Sequence, residues 1–224
     1  MTHMLHRQGT VESLAEDYTL LTIRARGYND GSLWRMQKVL EMASRYPIVN
    51  FGDIKNGNKF TTALDTILTS TDQALPILHM VFTNKDDVTK FMRDLKEADL
   101  GISVVAGGLF EEIFRCCRKA GMTPHTANHS LGVFGRTEKL PPQEVMDITT
   151  MCGHSLVTVA QTRKMIADVE KGKVSPEKAA EKLARNCLCG IFNPARAAKS
   201  WRNSCSISPG SATVFAISSR NSSR

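Results

Sequence analysis

Ile77-Leu78-His79-Met80-Val81-Phe82, followed by Thr83-Asn84 and an apolar stripe at Val88, Phe91, Met92 and Leu95, is the stretch that decides the fold. Six residues rich in β-formers make a strand. The stripe has the spacing of one helix face, opened by Thr83 or Asn84. Gly101 stops that helix, and residues 102–106 form a second apolar run. Gly107-Gly108 then leads into a helix with Leu109, Phe110, Ile113, Phe114 and Cys117 on one face, ended by Gly121.

The same alternation extends outward. Residues 17–24 read as a strand, Gly27 to Gly31 as a turn, and Ser32 as the cap of a helix carrying Leu33, Met36, Val39, Leu40 and Ala43. Pro47 ends it, and residues 48–51 form a short strand. Residues 52–76 are irregular, with a short helix around 63–68, and residues 128–134 are the last strand candidate. This pattern predicts a layered α/β (or α+β) sheet domain over residues 1–140. Its continuous apolar strands favour central positions buried on both faces.

After Leu140 the strands stop. Pro141-Pro142 begins a helix running through Val145, Met146 and Ile148 toward Met151. A second helix is expected after Gly153, ending at Gly172, and a third begins at Ser175-Pro176-Glu177, an N-cap with proline at the first helical position. A short helix follows Pro194. Residues 141–200 thus read as a small helical unit. Residues 201–224 are serine-rich, without acids or a helical period, and read as a disordered tail.

Composition bounds the function. A chain of 224 residues with 42% hydrophobic and 23% charged side chains can bury a core without disulfides. It has no apolar run of about 18 residues and no apolar leader, so the expectation is a cytoplasmic protein with no membrane partner. There its six cysteines stay reduced and serve as core residues, ligands or nucleophiles. Of the net charge of +7, Arg202, Arg220 and Arg224 in the tail supply +3, and no basic cluster with interleaved aromatics argues for nucleic acid.

Three of those cysteines carry the chemistry: Cys152 in Met-Cys-Gly-His, and Cys187 and Cys189 in Cys-Leu-Cys-Gly. A hairpin of the second and third helices brings them to one end, beside His154. A helix starting near His154 would place its free amides and dipole at Cys152 and favour the thiolate. Three thiolates suit an iron–sulfur cluster of the 4Fe-4S kind, whose fourth position falls to His154, Cys116, Cys117 or a substrate. Cys152, His154, Cys187 and Cys189 equally make a Cys₃His zinc set, although the usual Cys-x-x-Cys knuckle is missing. The same thiols also fit redox chemistry or plain core packing, and the core role is the first reading for Cys116 and Cys117.

Secondary candidates are fewer. His125 and His129 are read as substrate or metal contacts near the cysteine loop, or else as partly buried or surface histidines, and His154 as the fourth ligand or an acid/base group. His3 and His6 are left out of the site. Gly107 and Gly108, with Arg136 and Lys139, form a small-anion site or simply a tight turn and a solvated loop.

Thr-Glu-Lys-Leu-Pro-Pro-Gln-Glu-Val, Thr-Thr-Met-Cys-Gly-His, Cys-Leu-Cys-Gly-Ile-Phe-Asn-Pro-Ala-Arg-Ala and the opening Thr-His-Met-Leu-His-Arg-Gln-Gly-Thr resemble an uncharacterised prokaryotic protein family over residues 1–199. The resemblance implies that Cys152, His154, Cys187 and Cys189 belong to the family's characteristic motifs. It implies no catalytic role. The chain departs from that pattern after Lys199, as an altered reading of the end would produce.

The leading expectation is an iron–sulfur or other metal-binding protein, with the enzyme question left open. Cys152, Cys187 and Cys189 are its ligands, with a small-molecule substrate or redox partner. A zinc-stabilised binding module and a small-anion sensor are the competing expectations.

Overall fold

The computed structural model describes residues 2–24, 27, 31, 33–69 and 77–206. After a 3-10 turn at Thr2–Met4, the elements run α1 (Val11–Leu14), β1 (Tyr18–Ile23), α2 (Leu33–Ala43), β2 (Asn50–Asp53), β3 (Gly57–Asn58), α3 (Leu64–Leu68), β4 (Ile77–Phe82), α4 (Lys85–Ala98), β5 (Ser103–Gly107) and α5 (Phe110–Lys119). A second 3-10 turn (Thr137–Lys139) precedes α6 (Gln143–Thr149), α7 (Val159–Glu170), α8 (Pro176–Asn186) and α9 (Pro194–Ser206).

The strands form one sheet in the order β3-β2-β4-β1-β5, every pair antiparallel. β4 inserts between β1 and β2, and β1 between β4 and β5, so two β-α-β units interleave as in split β-α-β folds. This realises the layered sheet expected from the alternation of strand and helix signals, in its antiparallel, α+β form. Two expectations fail. β5 is an edge strand and only half-buried. Residues 128–134 form no strand: residues 123–136 run as exposed chain with positive φ at Gly132 and Gly135.

Alternation along the strands sorts side chains between two cores. Tyr18, Leu20, Leu78, Met80 and Phe82 face α2–α5, where Phe82, Phe91 and Tyr46 form an aromatic group. Leu21, Ile23, Ile77 and Val105 face the other way and pack with residues of α6–α9. The C-terminal helices therefore close the second face of the sheet as a third layer. α7 starts at a Thr158–Gln161 capping box, later than the expected start just after Gly153. A loop follows Cys152 instead of a helix. α9 runs to Ser206, into the stretch read as a tail; residues 207–224 lie outside the described residues, as do Ser32 and residues 70–76.

A buried ionic knot ties the first strand to the third layer. The Asp17 carboxylate receives Arg7 at 2.6 Å, Arg196 at 2.8 Å and Asn193 at 3.0 Å. Arg7 also donates to the carbonyls of Met151 and Ile191. Burial opposes ionisation of Asp17, but the two guanidiniums outweigh it and hold the carboxyl below its ordinary range. The Asn-Pro-Ala-Arg segment is thus a clamp on β1.

Candidate metal centre

The site lies between the sheet and the third layer, and four separate segments build it. His79 is an odd-numbered residue of β4, so the pleat aims it away from α2–α5 and toward the cysteines. Cys152 sits in the loop after α6, and Cys187 and Cys189 sit in the turn after α8. The segment at Thr2–Met4 lies over the top. Gly153 abuts it so closely that a Cβ there would stand 2.1 Å from the His3 carbonyl oxygen. Gly190 has φ +75, and a Cβ on it would stand 2.4 Å from the Phe51 carbonyl. The glycines of Met-Cys-Gly-His and Cys-Leu-Cys-Gly are therefore what lets the two cysteine loops approach the backbone of other elements. Asn58 reinforces this by donating to the carbonyls of Ala184 and Cys187 at 3.0 and 2.9 Å.

The Cys187 and Cys189 sulfurs are 3.9 Å apart, Cys189 Sγ is 3.5 Å from His154 Nδ1, and Cys152 is buried in the same core. His3 Nε2 lies 3.0 Å from His79 Nε2, and the His3 ring stacks on His154 at 4.5 Å. One donor atom each of His3, His79 and Cys189 lies within 4.8 Å of the other two. Cys152, Cys187, Cys189 and His79 are buried, His3 is half-buried, and His154 is exposed. Of the expected metal set, Cys189 joins that trio, Cys187 and His154 each contact Cys189, and Cys152 lies in the same buried core.

The electrostatics divide the site: the imidazoles and Cys189 are in or near their ligating forms, while Cys152 and Cys187 are held as thiols. Burial, then His154, lowers His3 to about 4; burial, then His3, lowers His79 to about 3. Both imidazoles are neutral at pH 7, the form that binds metal. His79 Nδ1 faces the Gly52 backbone without a hydrogen bond of normal geometry. Backbone amides of Leu156 and Val157 point at Cys152, that of Ile191 at Cys189 and that of Phe192 at Cys187. The Cys187 hydrogen bond lowers the Cys189 thiol. Cys187 is itself pulled down by Cys152, but its bond to Cys189 and burial win and push it up to about 12. Cys152 is raised, first by Cys187 and then by burial, and no helix N-terminus adjoins it. The dipole argument for its thiolate therefore gives way to direct amide contacts.

The remaining candidates lie elsewhere. Cys116 and Cys117 belong to the opposite core, with Cys116 Sγ directed at the Lys85 carbonyl. His125 and His129 are on the exposed 123–136 chain, His125 against Thr126 and His129 edge-on to Phe110. Gly107 and Gly108 end β5 with their bare Cα atoms facing inward: a Cβ would stand 2.6 Å from Thr19 Oγ1 and 3.2 Å from the Tyr18 ring, respectively. Glu111 and Glu112 occupy the first turn of the helix that follows. Arg136 is exposed beside the 3-10 turn.

Two residues of the centre, His3 and His79, escape a reading of the sequence. His79 has a readable signal, a lone imidazole inside an apolar strand at the parity of Ile77. His3 has none, because its contact spans 76 positions. Comparison with protein-family models, with curated proteins and with solved structures gives no match. Among the described residues no helix is long and apolar enough to cross a membrane.

Proposed function

We propose that the chain is a metalloprotein whose transition-metal centre is held by His3, His79 and Cys189, with His154, Cys187 and Cys152 alongside. The observation that carries this reading is the meeting of His3, His79 and Cys189 from three distant segments, their donor atoms within 4.8 Å of one another, with Cys187 and His154 each in contact with Cys189. The contacts suit a tetrahedral ion of zinc type. Two thiolates on such an ion stand about 3.8 Å apart, and a thiolate and an imidazole nitrogen about 3.6 Å. The Cys187–Cys189 and Cys189–His154 contacts alongside are 3.9 and 3.5 Å, and the donor atoms of His3, His79 and Cys189 themselves lie within 4.8 Å of one another. Bound there, such an ion acts as a Lewis acid or as a structural staple, and the exposed His154 is the donor best placed to exchange for an outside ligand.

An iron–sulfur centre is the second reading, favoured by the grouping of Cys152, Cys187 and Cys189 in one buried core. Imidazoles replace two thiolates on one iron in some two-iron clusters, so the mixed donor set does not exclude it. Under either reading the Met-Cys-Gly-His and Cys-x-Cys-Gly motifs, and the family they resemble, are metal-binding.

Oxygen-free purification followed by elemental analysis and an absorption spectrum decides. Zinc in a colourless protein supports the first reading; iron with inorganic sulfide and a brown colour supports the second. His79→Ala and Cys189→Ala are each expected to lose the metal. Full metal content in both variants overturns the site.

A further inference from the structure

We propose that the face formed by the outer edge of β5 and the arm at residues 123–136 docks a second copy of this chain, each arm adding residues 130–134 as a strand to the partner's β5. The arm is unusual in what it leaves in water. Every residue from 123 to 136 is exposed, with no helix or strand among them. Connections that long are uncommon in a compact fold unless they carry function. Leu131 and Phe134 are 78% exposed and Val133 50%. The run has the β-formers of a strand and pairs with no strand among the described residues. Its backbone is open as well: a Cβ on Gly132 or Gly135 would meet nothing within 4 Å, so the chain is free to straighten there on contact.

β5 has the opposite deficit. It ends the sheet, and its one strand neighbour among the described residues is β1. Soluble proteins blunt such an edge with charges, proline or a bulge. β5 reads Ser-Val-Val-Ala-Gly and has neither charge nor proline. The arm of its own copy does not fill the edge: Ser130 is tied to His6 at 3.2 Å, and His129 sits edge-on to Phe110. That second contact makes patch and edge continuous, since Phe110 opens the helix just after β5 and is itself 47% exposed. One chain thus owns a strand without an edge and an edge without a strand. Exchange about a two-fold axis satisfies both, whereas a foreign partner on either half leaves the other unmet. Size agrees. Phe110, Leu131, Val133 and Phe134 leave about 500 Å² of largely apolar surface per copy, and two copies with the edges they cover pass the roughly 1,000 Å² of a specific interface.

The test is the mass of the full chain in solution, by light scattering after gel filtration at high micromolar concentration. Expected is a particle of twice the 24.7 kDa chain mass. Replacing two arm residues together, Leu131→Asp with Phe134→Asp, is expected to halve that mass and leave the circular dichroism unchanged, since both side chains lie in solvent in the single chain. In hydrogen exchange, the amides of residues 103–107 should be about tenfold slower in the wild type than in that variant. A wild-type monomer overturns the inference and assigns the patch to another kind of partner. A dimer that survives the double substitution overturns it too, as does one that breaks with no change at residues 103–107. If the double variant does not fold, dilution of the wild type decides. Amides of 103–107 that exchange faster as the dimer dissociates support the pairing, and amides indifferent to dissociation overturn it.

Discussion

The two faces of the sheet both bury cysteines and use them differently. On the α2–α5 face, Cys116 and Cys117 sit among apolar side chains, and among the described residues neither meets an imidazole or a thiol from another segment. On the opposite face, Cys152, Cys187 and Cys189 share one core, Cys187 contacts Cys189, and Cys189 meets histidines. The same face concentrates buried polar groups: His79, Asn50, Asn58, Asp17, Asn193 and Arg196. A buried thiol by itself is packing. A buried thiol beside neutral imidazoles, as at Cys189, has the makings of a metal site.

The contrast can be broken hardest at its ionic knot. Asp17→Ala leaves two guanidiniums buried without their carboxylate. A loss of about 3–5 kcal/mol is expected in urea unfolding, because removing one partner of a buried pair strands the other. Retention of wild-type stability would show that the knot does not hold the third layer to the sheet.

Acid should separate the faces next. His79 has its folded pKa lowered to about 3, against about 6.5 when unfolded. Between those values the unfolded chain binds more protons. Stability is therefore full above about pH 6.5 and falls as the pH drops toward 3. In metal-free protein the contribution from His79 is roughly 3 kcal/mol by pH 4. The wild-type urea midpoint should fall between pH 7 and pH 4 by more than that of His79→Gln; equal falls would contradict it.

Backbone approach gives a smaller effect. Gly190→Ala must clear the Phe51 carbonyl from a left-handed conformation, and about 2 kcal/mol of stability should go, together with part of the metal affinity. The mildest change sharpens the comparison from the other side. Cys117→Ala should cost about 1 kcal/mol as a small cavity and leave metal content untouched. A drop in bound metal would move the opposite core into the site.

Much of this is legible in the chain. The strands and helices from residue 77 to 121 follow from apolar runs and stripes, because each signal is local. That Cys152, Cys187 and Cys189 share one core follows from two helices joined by a short turn. The start of α7 is legible too, in the Thr-x-x-Gln of its capping box, but Gly153 suggests an earlier one. Residues 128–134 mislead because Leu131, Val133 and Phe134 are β-formers, whereas strand formation needs a partner edge, and among the described residues none pairs with them. The edge position of β5 has the same cause: an apolar run does not state how many neighbours it will have. His3 depends on Gly153 lacking a side chain in a loop far along the sequence, which no local pattern encodes.

The knot at Asp17 also sets an order of events during synthesis. Its carboxylate leaves the ribosome early, with Arg7 as its nearest cation, while Asn193 and Arg196 follow 176 and 179 residues later. Cys189 emerges just ahead of them. The nascent chain therefore carries an incompletely neutralised first strand, and loose thiols open to stray ions, until its last helix docks.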